Sequence, residues 1–507
     1  MRPAAAATTT VLATLAAFSL AACSDDPTRP PAVSPAARAP SAKIVGIVPY
    51  AITTAVTDLG VLGTTNLGDR YSRAYGINDS GVVTGETTLS GKTFPGVFRW
   101  RSATGMLFTG TQGTGLDINL GGTIAGVSYS IPGGINGEGI VISPADVLTP
   151  LGFMPNDYAS YADGINDAGY LVGTSDEGNP SITGYVNIGV RWNPGTLALT
   201  SYIPTLTPIN RSSTLADINS SLQSVGHSLD KTLGQAGFRY TPAVGFELIK
   251  PWSSTVSVYP EDINDGGTVI GFEHSPAGTY PFRWSPALGF SYLGGGAEQG
   301  HAYGTNAAGY AVGSVGVGSA PVPAFWMPNG TRLVLPRLAG GPPACGFSGG
   351  EVQAVNSNLQ MVGSDVTAGC ETHAVLWQTA ILYKIIVEFW PNRWPKPQIY
   401  FGADELLPFA VLANPEMDIR QIDPRVMRLG NGDGRDTPVA RDEYGRLMAS
   451  YQDVDRDGDL DLLMYFSQAA LERNRDLTPE TTALYVTGNV GGGEFLRGVT
   501  RVEVVRQ

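Results

Sequence analysis

The densest group of side chains able to do chemistry is Asp453-Val454-Asp455-Arg456-Asp457-Gly458-Asp459-Leu460-Asp461. Asp453, Asp455, Asp457, Asp459 and Asp461 alternate around a glycine that permits a tight turn, so several hard oxygen ligands can converge on one centre. Oxygen donors alone suit Ca²⁺ better than Mg²⁺ or a transition metal. Five carboxylates packed this closely also repel one another unless a cation is present. The segment departs from the helix-flanked calcium loop, because Met464 stands where that loop needs Glu. Leu460, Leu462, Met464 and Phe466 instead alternate like a half-buried strand, so a bridging carboxylate must come from elsewhere, with Asp433 and Asp436 as candidates.

Other reactive residues make weaker patterns. Gly346-Phe347-Ser348-Gly349-Gly350 fits the G-x-S-x-G nucleophile spacing, and Asp365 and His373 follow in a hydrolase-like order. The strand-turn-helix setting is missing, and a chain with 65 glycines yields such matches by chance. His227, His274, His301 and His373 lack metal-ligand spacing. No two carboxylates are spaced to name a catalytic pair, so an enzyme is the second choice behind a binding role.

The N-terminus reads as an export signal: Arg2, an apolar run from Val11 to Phe18, then Leu20-Ala21-Ala22-Cys23. That run is too short to span a bilayer permanently. Leu-Ala-Ala-Cys resembles the lipobox of bacterial lipoproteins, which implies a lipid on Cys23, attachment to a membrane, and an outer-membrane or surface location. In an exported chain a disulfide can persist, and Cys345 and Cys370 are the expected pair. The net charge of −13, with no cluster of Lys and Arg visible in the sequence, argues against a nucleic-acid partner.

The elements that would position these residues follow from an internal repeat. Asn78/Gly85, Asn119/Gly126, Asn166/Gly173, Asn219/Gly226, Asn264/Gly271, Asn306/Gly313 and Asn356/Gly363 share one seven-residue offset. Successive asparagines lie 41, 47, 53, 45, 42 and 50 residues apart, the length of a four-stranded blade. Asn begins a type I turn and Gly favours its fourth position, as in Ile77-Asn78-Asp79-Ser80-Gly81. Leu222 and Leu359 replace that glycine in two repeats, a change the turn is expected to tolerate. Asp79, Asp167 and Asp265 follow the asparagine, while Asp117, Asp217 and Asp262 precede it by two, and these read as an acidic, solvated rim.

A second strand with aromatics follows in most repeats, as at Phe98-Arg99-Trp100, Phe238-Arg239-Tyr240 and Phe282-Arg283-Trp284, and reads as core. With His373-Ala374-Val375-Leu376-Trp377, the pattern resembles the bacterial extracellular HAF repeat over roughly residues 57 to 380, a resemblance that implies no activity. The expected fold is all-β: a seven-bladed β-propeller followed by a smaller β-sandwich-like domain. Closure of the ring removes exposed sheet edges that an open solenoid would keep. Thr57-Asp58-Leu59-Gly60 precedes the first turn and could complete the last blade.

Composition changes near Ile381, after which 35 of the 77 charged residues fall in 127 positions. Phe409-Ala410-Val411-Leu412, Gln421-Ile422-Asp423-Pro424, the Asp453 loop and Thr482-Ala483-Leu484-Tyr485-Val486-Thr487-Gly488 resemble a β-rich terminal module of bacterial exported proteins. That resemblance implies a calcium-stabilised structural or adhesive module. The expected organisation is a signal peptide at 1–22, a tether at 23–45, the propeller at 46–380 and a calcium-binding domain at 381–507. The expected role is a cell-envelope binding or scaffold module for protein or glycan partners; the alternative is a glycan-active enzyme using the propeller channel.

Overall fold

The computed structural model describes residues 49 and 51–506, apart from 131–136, 156, 177–186, 197–198, 203–211, 231–233, 251–254, 297, 317–319, 339–348, 394, 414–417 and 433–435. Cys23, Cys345, Ser348 and Asp433 therefore lie outside the described residues. All but a few short stretches of regular structure are strands, gathered in small antiparallel sheets.

Each repeat folds as a four-stranded meander. Ser257–Ile263, Val269–Ser275, Gly278–Ser285 and Gly289–Tyr292 pair in chain order, and the repeats that start at Ala159, Ser212 and Gly300 do the same. The long strand Gly105–Ile118 serves two repeats: its start pairs with Gly96–Arg101 and its end with Ile124–Ser128. The last repeat, Glu351–Val355, Gln360–Val366 and Thr372–Lys384, takes its fourth strand from Ala51–Asp58. Pairing there runs from Ala51 opposite Leu382 to Asp58 opposite Val375. The segment ahead of the first turn thus completes the last repeat, and two ends far apart in sequence share one sheet.

The repeat asparagines are all buried, and turn formation alone does not explain their side chains. Asn78 O accepts from Gly81 N–H at 2.9 Å, as a type I turn requires, and Asn78 Oδ1 accepts from Val82 N–H at 3.0 Å. Nδ2 then donates to the main-chain carbonyl of the next repeat's asparagine. The distances are 2.9 Å from Asn78 to Asn119, 3.2 Å to Asn166, 3.0 Å to Asn219 and 3.1 Å to Asn264. They continue at 2.9 Å to Asn306, 3.0 Å to Asn356, and 3.0 Å from Asn356 back to Asn78. The circuit is closed.

Aspartates read as a solvated rim prove to be links between repeats. Asp117, Asp217 and Asp262 accept the N–H groups of Ile165, Ile263 and Thr305 in the following repeat. Asp167, Asp265 and Asp79 accept those of Leu120, Ser220 and Ser357 in the preceding one. Their irregular placement follows from which interface each one serves. Gly164 leaves the room one of them needs, since a Cβ there would lie 2.7 Å from Asp217 Oδ1. The third-strand arginines add a further tie, with Arg99 donating to Gly122 O and Arg283 to Gly309 O across repeat boundaries.

The two leucines at the fourth turn position do not sit there freely. Leu222 and Leu359 take φ values of 59° and 52°, the left-handed region that Gly81 occupies at 74°. A side chain costs roughly 1–2 kcal/mol in that conformation. Complete burial of Leu359 against Trp377 and its neighbours offsets that cost.

The change in composition at residue 381 falls inside Thr372–Lys384, which pairs in parallel with Glu494–Arg501 and so leads into Ala483–Gly491, Met427–Gly430 and Thr437–Pro438. A second sheet orders Ile386–Phe389, Leu406–Leu412, Asp461–Ser467 and Ala449–Gln452. Phe389, Phe409 and Phe466 of that sheet share one buried cluster with Met427, Leu429 and Leu484 of the first, and with Phe325 and Trp377 of the repeats. Two four-stranded layers over a common core are sandwich-like. The buried Glu494 carboxylate, accepting from the Tyr310 and Tyr383 hydroxyls, ties this layer to the sixth repeat.

Candidate functional site

The repeat glycine, seven residues after each asparagine, aims a side chain at the centre. In every repeat the innermost strand has one extra residue, three before the asparagine, with no partner on the second strand: Tyr75, Leu116, Asp163, Ala216, Glu261, Tyr303 and Gln353. A β-bulge of this kind turns its residue out of the ladder. The repeat glycine lies opposite, and a Cβ there would sit at about 2 Å from a main-chain oxygen, as at Gly173 (1.9 Å) and Gly226 (2.0 Å). Only glycine allows the strands to close on the bulge.

All of these bulge residues line one cavity of about 680 Å³, and all are half-buried. Tyr161, Thr174, Asp176, Thr214 and His227 are also in its wall, and no Lys or Arg is among its described residues. His227 packs edge-on to Tyr259 with ring centres 5.0 Å apart and contacts Thr214 Oγ1. Burial pushes its pKa down to about 4, so it is neutral.

The cavity carboxylates divide into two kinds. Asp117, Asp217 and Asp262 already hold main-chain N–H groups, and the Asp217 and Asp262 carboxyls are neighbours. Burial first, then the neighbouring carboxylate, raises Asp217 well above the usual range. Asp163 and Glu261, by contrast, accept no such bond from the described residues and face the cavity from bulges two repeats apart. Burial pushes Asp163 up to about 7, and burial with the Asp163 charge pushes Glu261 up to about 8. Near neutral pH both can donate and accept hydrogen bonds. Sequence reasoning missed this pair because Asp163 and Glu261 are 98 residues apart (261 − 163); only the shared position before Asn166 and Asn264 connects them.

In the Asp453 loop, Asp453, Asp455 and Asp461 bring ligand oxygens within 4.8 Å of one another. Asp457 and Asp459 do not join them: Asp457 Oδ1 accepts from Asp459 N–H at 2.9 Å. Asp461 is fully buried and oriented by the N–H groups of Ala413 and Val454, at 2.8 and 2.9 Å. Asp453 takes those of Arg456 and Gly458. Asp436 is elsewhere, accepting from Thr487. Cys370 is disulfide-bonded, and its partner lies outside the described residues. Asp365 forms a buried ion pair with Arg337, and His373 contacts Asp58 and Glu371.

No protein-family model and no curated protein matches the chain. Among solved structures it is similar to TolB from Acinetobacter baumannii at 10% identity and TM-score 0.35, covering 48% of this chain and 60% of that one. Virginiamycin B lyase from Staphylococcus aureus matches at 12% and 0.41, with coverages of 64% and 99%. Acylaminoacyl peptidase from Pyrococcus horikoshii matches at 9% and 0.41, with coverages of 68% and 57%. The chain thus spans less than two thirds of TolB and of the peptidase. Four-stranded meanders set radially around a closed circuit make the repeat region a β-propeller.

The raised carboxyls carry a consequence for stability. Folded Asp163 and Glu261 keep protons that the unfolded chain releases near pH 4, so their contribution is complete below that pH and is lost as pH rises through about 7 and 8. In the double variant Asp163→Asn/Glu261→Gln, the fall in unfolding free energy between about pH 5 and pH 8.5 should shrink by ~1–2 kcal/mol, a figure discounted for water in the cavity. Denaturant titration at the two pH values measures it, and an unchanged fall would contradict the assignment.

Proposed function

We propose that this chain is a lipid-anchored cell-envelope binding module: a seven-bladed β-propeller whose bulge ring receives a glycan or protein partner, followed by a calcium-stabilised β-sandwich-like domain. The observation that carries the reading is the ring itself. One backbone device, repeated around the circuit, presents different side chains at equivalent places, namely two carboxyls, two phenols, an amide, Leu and Ala. The count of seven rests on the closed asparagine circuit. Phenol and amide groups beside carboxyls that both donate and accept suit a hydroxyl-rich ligand, which favours a glycan.

One observation favours the alternative of a glycan-active enzyme: Asp163 and Glu261 titrate near neutrality in the same cavity, as a general acid must. A single experiment addresses both. The full chain is taken from the membrane fraction, where lipid on Cys23 would hold it, and titrated with envelope-derived oligosaccharides by calorimetry. Asp163→Asn and Glu261→Gln should each weaken binding at least about tenfold while the melting transition persists. Unchanged affinity in both variants sinks the cavity reading, and release of reducing ends that Glu261→Gln abolishes would favour the enzyme.

For the Asp453 loop we propose Ca²⁺ held by Asp453, Asp455 and Asp461. Three converging hard oxygens, one on a fully buried residue, fit that ion. Calcium there would supply cross-linking charge between the loop and the strand Asp461–Ser467, with no part in catalysis. A chelator should lower the melting temperature of the native chain and leave an Asp455→Asn variant nearly unmoved; equal melting with and without chelator would refute the site.

A further inference from the structure

A row of cations crosses the outer face of the C-terminal sheet. Lys384 pairs with Arg497, Arg497 with Thr487, and Thr487 with Arg428, so these residues form one line perpendicular to four strands. Lys384 and Arg497 are directly opposed like charges, an arrangement that destabilises a sheet unless an anion lies over it. In a chain of net charge −13 such a row stands out.

Among the described residues, carbonyls and an aromatic ring, with no ion pair, hold these arginines in place. Arg428 Nη1 donates to the carbonyls of Arg425 and Met427, both at 2.9 Å. Arg497 lies over the Tyr485 ring, 4.5 Å from its centre. Arg441, on the adjoining surface, donates to Gly445 O at 2.7 Å. No described carboxylate forms an ion pair with Lys384, Arg428, Arg441 or Arg497, whereas the neighbouring Arg425 is matched by Asp423. Asp436 accepts from the hydroxyl of Thr487, the residue of this line between Arg497 and Arg428.

Two grooves of about 570 and 380 Å³ adjoin at Arg425 and Arg428. Arg497 and Phe495 line the first and Arg441 the second, and no acidic residue lines either among the described residues. Phe495 and Leu382 give the first groove an apolar surface.

We propose that this groove binds a linear anionic polysaccharide, its carboxylate or phosphate groups resting on Lys384/Arg497 and on Arg428, and a sugar ring against Phe495. Strands are about 4.8 Å apart, so Arg497 and Arg428, two strands apart, lie roughly 10 Å from each other, a separation that engages charges repeated along a chain. Preorganised guanidiniums favour paired oxygens of carboxylate or phosphate. The concave shape favours an extended chain over a flat lipid surface. No described residue lines both these grooves and the propeller cavity, so the outcome is independent of that reading.

The test uses the full chain and immobilised polygalacturonate, with polyphosphate, neutral dextran, poly-glutamate and phosphatidylglycerol vesicles as further arms. The native protein should be retained by polygalacturonate or polyphosphate, which separates carboxylate from phosphate as the preferred charge, should ignore dextran, and should be released by added salt. Arg428→Gln/Arg497→Gln should reduce retention at least tenfold, and Lys384→Gln should reduce it less, which keeps the test open if the double variant does not fold. Retention unchanged by either substitution, no retention on either anionic glycan mimic, or preference for vesicles or poly-glutamate over them, would each overturn the proposal.

Discussion

The side-chain amide of a repeat asparagine, donating to the next asparagine's carbonyl, is the contact on which the rest of the ring depends. One residue closes its own turn through Oδ1 and reaches its neighbour through Nδ2, so local and non-local structure are fixed by the same buried group. Losing any member leaves a buried carbonyl and buried N–H groups unpaired, at roughly 1–3 kcal/mol for each group. The aspartates and third-strand arginines reinforce particular interfaces, while the asparagines serve all of them.

Much of this was legible in the sequence, for identifiable reasons. The Asn/Gly offset marked the turns, the blade-length spacing marked the sheets, and Thr57-Asp58-Leu59-Gly60 pointed to a strand completing the last repeat. What stayed hidden was set by pairing register. The offset of seven between Asn166 and Gly173 reads as a turn and a strand end, yet Gly173 faces a bulge that exists only once two strands are aligned. The cavity pair Asp163 and Glu261 was invisible for the same reason. Leu222 and Leu359 looked harmless because sequence records no φ angle, and the aspartates looked solvated because their partners lie in other repeats.

The two ends of the chain's chemistry differ in kind. In the propeller the backbone repeats and the side chains vary, which concentrates specificity in a few bulge positions around one acidic cavity. In the C-terminal layers there is no repeat, and charge is sorted by face. Acidic oxygens gather in the Asp453 loop, and Arg428 and Arg497 line the outer sheet with no ion pair among the described residues. A strand shared by both parts, Thr372–Lys384, and the buried Tyr310, Tyr383 and Glu494 cluster make the two mechanically continuous.

Closure of the ring is tested most directly where its ends meet. Thr54 and Thr379 are paired across the joining strands with hydroxyl oxygens 2.9 Å apart. Cysteines at both positions, in the full chain under oxidising conditions, should form one disulfide beyond that of Cys370, read as a mass loss and a new crosslinked peptide, with the melting temperature raised. Two free thiols in the folded double variant would show that Ala51–Asp58 does not close the ring.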